Sequence, residues 1–321
     1  MDEPTRVRGR ARRIAHLSLA LLLAPGLALL AAEGALRIWT PKRLQFETNQ
    51  RPREYGQLLA VDPELGFMPI LGGPRYGPHG ALRNDYSLEK TPGRVRLLFL
   101  GDSVTERGAI VNGLRTELGD ERYEYWNAGV GGYATQQELD YYRKYCADIH
   151  ADQVILTFHL NDFDASPVFF QDKGVVAVRA SQTQRPLPWL WEHSIAYRFW
   201  FQQTMEKPTP PSSEERLSQL ERTFADLRDL VHERGAELTV LVLPWLRPQE
   251  KWPPSLPGKH AAVLEMLTRL GIPCHSFLDE LRQTVADGVD VQETAHDPQH
   301  PSAEFGRRMA HALVARGCFA P

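Results

Sequence analysis

From residue 95 onward, short apolar runs alternate with longer segments in which apolar residues recur every three or four positions. The short runs are typical of strands buried on both faces of a sheet, and the longer segments are typical of helices that pack on it. We predict strands at 95–100, 123–126, 153–158, 237–243 and 272–275, and helices at 109–118, 134–147, 214–234, 259–270, 277–286 and 302–316. This alternation predicts an α/β fold, a three-layer α/β/α sandwich with a central parallel sheet.

A different pattern occupies the N-terminus. Residues 14–32 form a stretch of 19 residues, mostly Leu and Ala, without Asp, Glu, Lys or Arg, and five arginines precede it. This length can span a bilayer, and the arginines favour a cytoplasmic N-terminus. We therefore predict a basic cytoplasmic tail at 1–13, a transmembrane helix at 14–32 and a periplasmic or extracellular remainder. A cleaved signal peptide is the alternative, since the stretch is short, contains Pro25-Gly26 and ends in Ala31-Ala32; the protein would then be secreted.

The rest of the chain divides into an irregular lead-in at 33–93, rich in Pro, Gly and Arg, and one α/β domain at 94–321 with an insertion at about 163–211. Such a long connection is unusual inside a compact domain. Three roles for it stay open: a cap over the pocket that sets substrate choice, a small satellite core, or contact with the membrane surface. Its aromatic residues are Phe163, Phe169, Phe170, Trp189, Trp191, Tyr197, Phe199, Trp200 and Phe201.

Composition excludes several classes of protein. The net charge is −3, and because five of the basic residues lie in the first thirteen positions, the remainder is more acidic still. An acidic domain argues against a nucleic-acid partner. The three cysteines imply no disulfide framework, although a single bridge stays open. The histidines are scattered without a metal-binding motif, so we expect no metal and no other cofactor.

Two short motifs almost two hundred residues apart carry the candidate chemistry. Ser103 follows the predicted strand 95–100 within Gly-Asp-Ser, and Asp297 and His300 lie in an Asp-Pro-Gln-His-Pro sequence. A serine hydroxyl becomes a nucleophile only when a base removes its proton and a third group orients that base. In a Pro-flanked turn, Asp297 can reach one imidazole nitrogen of His300 and leave the other for Ser103. Either motif alone is more often an ordinary surface turn than a catalytic site.

Two further segments follow predicted strands and carry groups that stabilise negative charge. Acyl transfer develops an oxyanion, which backbone N–H groups and asparagine amides can bind. Gly132, in the sequence Asn-Ala-Gly-Val-Gly-Gly-Tyr at 127–133, and Asn161, in His-Leu-Asn-Asp at 159–162, fit these two roles. Gly129 and Gly131 crowd the same loop, and we choose Gly132 by its spacing from Asn127. A flexible turn and a helix cap are the structural alternatives for the two segments.

The order Ser, Gly, Asn, Asp, His resembles that of the SGNH/GDSL hydrolase superfamily, in its membrane-anchored bacterial form, over residues 94 to 316. The resemblance implies a flavodoxin-like fold, with Ser103 as nucleophile, His300 as base and Asp297 as its orienting partner. It also implies an oxyanion hole made by Gly132, Asn161 and the backbone N–H of Ser103. The chain departs from the family pattern at His159, where glycine is usual, which puts the geometry of that loop in question.

The resemblance implies a serine-dependent O-acyl ester hydrolase, of esterase or deacetylase type, that acts on a carbohydrate or lipid ester outside the bacterial cytoplasmic membrane. Two alternatives stay open: an O-acyltransferase of an envelope or exported glycan, and a catalytically silent glycan-binding or scaffolding membrane component. Further side chains at the predicted ligand edge of the sheet are candidates for supporting or substrate-side roles: Asp102, His159, Asp162, Trp245 and Arg247.

Overall fold

The structure is a computed structural model that describes residues 16, 23–24, 26–39, 58–60, 62, 64–163, 169–172, 175–178, 187–204 and 212–319. The chain divides into two compact units. The larger comprises residues 58–167 and 209–321, and the smaller comprises residues 1–57 and 168–208.

The strands, in chain order, are β1 Leu59–Ala60, β2 Met68–Pro69, β3 Val95–Gly101, β4 Tyr123–Asn127, β5 Gln153–His159, β6 Phe169–Asp172, β7 Val175–Val178, β8 Glu237–Leu243 and β9 Cys274–Ser276. The numbered α-helices are α1 Ser103–Arg107, α2 Ala109–Leu118, α3 Thr135–Tyr141, α4 Pro188–His193, α5 Ile195–Thr204, α6 Ser213–Glu233, α7 Leu256–Arg269, α8 Leu278–Ala286 and α9 Ala303–Ala315. Helix α3 continues as a π-helical turn, Tyr142–Cys146, and short 3₁₀ turns occur at Ala147–Ile149, Leu160–Phe163 and Gln249–Lys251.

The larger unit is built on a five-stranded sheet in the order β4-β3-β5-β8-β9, in which every neighbouring pair is parallel. The prediction of an α/β fold with a central parallel sheet is therefore confirmed. After β3 the chain turns to one side, to β4, and it then returns to the other side, to β5. Loops that follow β3 and β5 diverge at this point, which is where open α/β sheets bind ligands.

The apolar runs form the centre of the sheet. Leu97, Leu98, Phe99 and Leu100 of β3 are fully buried, as expected for a strand that is covered on both faces. Helix α9 contacts α2 and α8 in one group, and α6 contacts α3 and α7 in a second group. Helix α2 has the bounds that the sequence predicted, whereas β9 begins at Cys274 rather than at residue 272.

Helices α2 and α9 approach closely because glycine lies at their crossing. A Cβ atom on Gly113 of α2 would lie 2.7 Å from the carbonyl oxygen of Gly306 in α9. Any side chain there would separate the two helices. The sequence positions of these helices matter for the site, since α2 follows Ser103 and α9 follows His300.

Part of the lead-in packs against this sheet. Phe67 and Leu65 are buried, and the carbonyl of Phe67 accepts a hydrogen bond of 2.7 Å from the hydroxyl of Tyr133. Arg96 of β3 is fully buried, pairs with Glu124 at 2.7 Å, and also donates to the carbonyls of Ser87 and Leu88. Residues 64–93 thus complete the larger unit even though they contain little regular structure.

In the smaller unit, the described residues form an N-terminal helix at 26–39, a hairpin of β6 and β7, and helices α4 and α5. The Glu33 carboxylate accepts hydrogen bonds from the N–H groups of Ile195 and Ala196, at the start of α5. These bonds and those from Ser194 and Arg37 outweigh the effect of burial and hold the pKa of Glu33 well below its usual range.

In the part of the chain that the structure describes, no helix is both long and apolar enough to cross a membrane. The predicted basic tail at 1–13 and much of the predicted transmembrane stretch, namely residues 14–15, 17–22 and 25, lie outside the described residues. The prediction of an anchor or a signal segment stays a prediction.

The three cysteines are all free thiols. Cys146 is fully buried, and burial raises the pKa of its thiol well above the usual value. Cys318 contacts the ring of His275, with 3.2 Å between Sγ and Nε2. The structure therefore contains none of the single bridges that the sequence left open.

Candidate active site

The turn after β3 presents Ser103 at the ligand edge of the sheet. Asp102 caps the short helix α1 by accepting the N–H of Val104 at 2.8 Å, so that Ser103 becomes the first helical residue. Gly101 has φ +149°, and a Cβ atom there would lie 2.1 Å from the hydroxyl oxygen of Thr105. The tight turn that exposes Ser103 therefore requires glycine at position 101.

The structure brings the two distant motifs together. Ser103 Oγ lies 2.8 Å from His300 Nε2, and His300 Nδ1 lies 2.7 Å from Asp297 Oδ2. His300 is buried, with 8% of its surface exposed, so these contacts are largely shielded from water. If Nδ1 carries the proton that Asp297 accepts, Nε2 is free to accept the proton of the Ser103 hydroxyl.

Asp297 is held in the ionised form that this arrangement needs. Partial burial acts to raise the pKa of Asp297, but hydrogen bonds from the His300 ring and from the N–H of Gln299 outweigh burial and lower it. The second bond, to Oδ1, is 3.0 Å long. The turn that carries Asp297 and His300 is also held by the loop after β8, since the carbonyl of Pro298 accepts the N–H of Leu246 at 2.9 Å.

The loop after β4 leaves one amide unused, and that amide belongs to Gly132. The backbone N–H groups of the other loop residues all donate to defined acceptors: Ala128 to Phe99, Gly129 to Asn127, Val130 to Gly101, Gly131 to Glu106 and Tyr133 to Val130. Within the described residues, neither the Gly132 N–H nor the Ser103 N–H has an acceptor. Both amides are therefore available to a ligand beside the nucleophile.

The segment after β5 carries a histidine, His159, at the position where the motif resemblance would place a glycine. His159 ends β5, is fully buried, and its ring stacks on Trp245 at 5.8 Å between centroids. Asp162 is buried and accepts the N–H of His159 at 2.8 Å, which closes the turn. Asn161 lies in the 3₁₀ turn Leu160–Phe163, but its side chain is outside the described part of the structure, so its role in the oxyanion hole stays a prediction.

Trp245 and Arg247 follow β8 and are partly buried. Because Leu246 between them bonds to Pro298, this loop lies beside the turn that carries Asp297 and His300. The carbonyl of Arg247 accepts the indole N–H of Trp252 at 2.7 Å. These residues are thus close in the fold to the catalytic candidates, and their roles toward a substrate stay predictions.

A buried acidic cluster of Asp102, Asp162 and Glu138 lies behind the nucleophile, and Glu138 was not among the predicted site residues. Burial, and after it the charge of Asp102, raise the pKa of Glu138 well above its usual value, and the same two causes raise the pKa of Asp162. The available signal was an acidic residue on the buried face of the predicted helix 134–147. In the described structure, neither carboxyl oxygen of Glu138 has a hydrogen-bond partner.

Two more residues near the site were missed, Glu106 and Arg107 on α1. Glu106 accepts the Gly131 N–H, and Arg107 pairs with Glu293 and lies 4.0 Å from Asp297 Oδ2. Their spacing could have revealed them, since residues three and four positions after Ser103 lie on the same side of a helix. Among the described residues, no group of three His, Cys, Asp or Glu side chains could hold a metal ion.

No family model matches the sequence, and no curated protein matches it. Similar solved structures include Axe2, an acetylxylan esterase from Geobacillus stearothermophilus, at 14% identity and a TM-score of 0.45, covering 71% of this chain and 97% of that one. They also include LAE5, an alpha/beta hydrolase enzyme from the metagenome of Lake Arreo, Spain, at 14% identity and a TM-score of 0.47, covering 71% and 97%.

Proposed function

We propose that the protein is a serine-dependent O-acyl ester hydrolase. The observation that carries this proposal is the continuous chain of contacts from Ser103 Oγ through His300 to Asp297, with both links at hydrogen-bonding distance. A histidine held between a hydroxyl and an ionised carboxylate is the arrangement that turns a serine into a nucleophile. An ordinary surface turn gives no reason for residues 103 and 300 to meet.

The proposed reaction has two steps. Ser103 Oγ attacks the ester carbonyl carbon while His300 Nε2 takes the hydroxyl proton, and the carbonyl oxygen becomes an oxyanion beside the N–H groups of Gly132 and Ser103. His300 then gives its proton to the alcohol as the ester bond breaks, which leaves an acyl group on Ser103. In the second step His300 takes a proton from water, the hydroxide attacks the acyl carbon, and the acid leaves as Ser103 regains its proton.

The finer parts of the proposal concern substrate and location. We place the substrate among acyl esters of glycans or lipids outside the cytoplasmic membrane, with the chain held there by residues 14–32. The support is the apolar stretch and the arginines that precede it. Transfer of the acyl group to a sugar hydroxyl differs only in what replaces water in the second step, so the triad is compatible with both outcomes.

The test is covalent labelling of the full-length protein with a fluorophosphonate, together with rapid-mixing kinetics on p-nitrophenyl esters from acetyl to long chain. We expect one label per chain on Ser103 and an initial burst of p-nitrophenol equal to the amount of enzyme. Ser103→Ala should lose both with an unchanged circular dichroism spectrum. Full esterase activity in that variant would contradict the proposal, and an unlabelled Ser103 in folded wild-type protein would favour a silent binding role.

A further inference from the structure

Glu106 connects α1, the helix that begins at Ser103, to the loop after β4. This loop, residues 128–133, is called the glycine loop. Its Oε2 atom accepts the N–H of Gly131 at 3.1 Å, and its Oε1 atom accepts the hydroxyl of Tyr76 at 2.9 Å. Arg75 lies 2.9 Å from the same Oε1 atom. One carboxylate therefore joins three parts of the chain: the helix that begins at Ser103, the loop after β4, and the lead-in.

The hydrogen bond from Gly131 to Glu106 differs from the other hydrogen bonds of the glycine loop in its acceptor. The amides of Ala128, Val130 and Tyr133 donate to backbone carbonyls, and that of Gly129 donates to an asparagine side chain. Only Gly131 donates to a carboxylate, and a charged acceptor makes the stronger hydrogen bond. Gly131 directly precedes Gly132, whose own N–H is the one available to an oxyanion.

The glycine loop packs tightly against Glu106 and Ser103. A Cβ atom on Gly131 would lie 2.7 Å from Glu106 Oε2 and 3.6 Å from the Cβ atom of Ser103. A Cβ atom on Gly129 would lie 2.3 Å from the backbone nitrogen of Glu106. The loop thus lies directly on α1, and the Glu106 side chain fills the remaining gap beside the nucleophile.

Tyr76 supports this arrangement from the lead-in. Its side chain is almost fully buried, and its hydroxyl is within reach of two acceptors, Glu106 Oε1 and the carbonyl of Gly129 at 2.7 Å. Tyr76 therefore holds both the carboxylate and the glycine loop. Burial and the neighbouring Glu106 charge raise the pKa of Tyr76 far above its usual value, so the hydroxyl stays a donor at all working pH values.

We propose that Glu106 is a positioning residue for the oxyanion hole: its carboxylate fixes the peptide next to Gly132 at the distance from Ser103 that the tetrahedral intermediate requires. This inference rests on the proposed hydrolase function. Glu106 acts through Gly131 and touches no reacting atom, so its loss leaves substrate binding intact and weakens the stabilisation of the developing charge.

The experiment compares steady-state kinetics of Glu106→Ala, Glu106→Gln and Tyr76→Phe on the ester that the wild type cleaves fastest. A donor displaced by about 1 Å can cost up to about 100-fold in rate. We expect kcat to fall about 10- to 100-fold in Glu106→Ala, with KM within about 3-fold of the wild type. Glu106→Gln keeps an acceptor oxygen without the charge and should lose less, and Tyr76→Phe keeps the Gly131 bond and should lose least.

A boronic acid inhibitor supplies the readout that a merely structural role would not change. It forms a tetrahedral adduct on Ser103, so its Ki should rise in Glu106→Ala by about the same factor as kcat falls. The matched control is Glu221→Ala, which removes another helical glutamate paired with an arginine, Arg269, and should leave kcat and Ki unchanged.

Wild-type kcat in a folded Glu106→Ala, or a rise in KM with kcat unchanged, would overturn the inference. If Glu106→Ala does not fold, Glu106→Gln decides, and wild-type values of both kcat and Ki there would overturn it. The proposed hydrolase function fails separately, by activity in Ser103→Ala. An inactive Ser103→Ala beside fully active Glu106 variants would reject the positioning role alone.

Discussion

Gly306 lies directly against Ala109 where α9 crosses α2: a Cβ atom on Gly306 would be 2.5 Å from the carbonyl oxygen of Ala109. Helix α2 begins six residues after Ser103, and α9 begins three residues after His300. The crossing therefore sets how closely the two halves of the candidate active site approach. The hydrogen bond between Ser103 and His300, which are 197 positions apart, thus depends on a contact between α2 and α9 that involves no catalytic side chain.

The first prediction concerns that crossing. Gly306→Ala should push the helices apart and reduce the free energy of unfolding by about 1–3 kcal/mol, because overpacking of a tight core is destabilising. It should also lower kcat, since the His300 turn moves with α9. The control is Gly258→Ala, a helical glycine with nothing within 4 Å of the added atom, which should stabilise by about 0.5–1 kcal/mol. Urea unfolding measures both; equal stability of the two variants would contradict the prediction.

The second prediction concerns the charges beside Asp297. The Arg107 guanidinium, 4.0 Å from Asp297 Oδ2, opposes the positive charge that forms on His300 when the imidazole takes the proton of Ser103. Arg107→Gln should therefore raise kcat/KM at a fixed pH by about 1.5- to 3-fold, a small effect because the side chains are partly exposed and screened. Glu293→Gln removes a negative charge from the same cluster and should lower kcat/KM by a similar factor. Changes in the same direction would be evidence against this electrostatic role.

The third prediction concerns the buried acid Glu138. Its raised pKa means that the native state binds a proton that the unfolded state has lost, so Glu138 lowers stability as pH rises from about its ordinary value of 4.5 toward its folded pKa. Glu138→Leu removes a buried carboxyl that has no hydrogen-bond partner among the described residues. We expect a higher Tm than wild type at pH 8 and a smaller difference at pH 4.5, measured by thermal unfolding. A difference independent of pH would show that Glu138 does not bind the proton.

The fourth prediction concerns the buried pair of Arg96 and Glu124. Arg96→Met leaves the Glu124 carboxylate buried without its partner and should cost about 3–5 kcal/mol of unfolding free energy. The double variant Arg96→Met/Glu124→Leu should recover part of that loss, because the uncompensated charge is gone. Arg282→Met, which breaks the exposed ion pair with Asp279, should change stability by less than about 1 kcal/mol. If Arg96→Met is at least as stable as the double variant, the argument is refuted.

The sequence predicted the sheet because each strand is a continuous apolar run, and burial on both faces makes such runs easy to recognise. It also predicted that Ser103, Asp297 and His300 could meet, since a Pro-flanked turn brings Asp297 within reach of His300 and the order of the motifs resembles that of the SGNH/GDSL superfamily. The signals for Glu138 and Glu106 were weak, namely a position on the buried face of a predicted helix and the spacing from Ser103, because a carboxylate on a helix usually faces water and the packing is needed to show which ones do not. The preference for Gly132 rested on spacing, whereas the structure singles out its amide by showing where the neighbouring amides donate.

The bond from Glu33 to the first turn of α5 has a practical consequence for dissecting the chain. A fragment that starts after residue 39 removes the only apolar N-terminal stretch, but it also removes the carboxylate that accepts the N–H groups of Ile195 and Ala196. Loss of such acceptors at a helix N-terminus costs about 1 kcal/mol. Fragments meant to keep this helix should therefore begin upstream of Glu33.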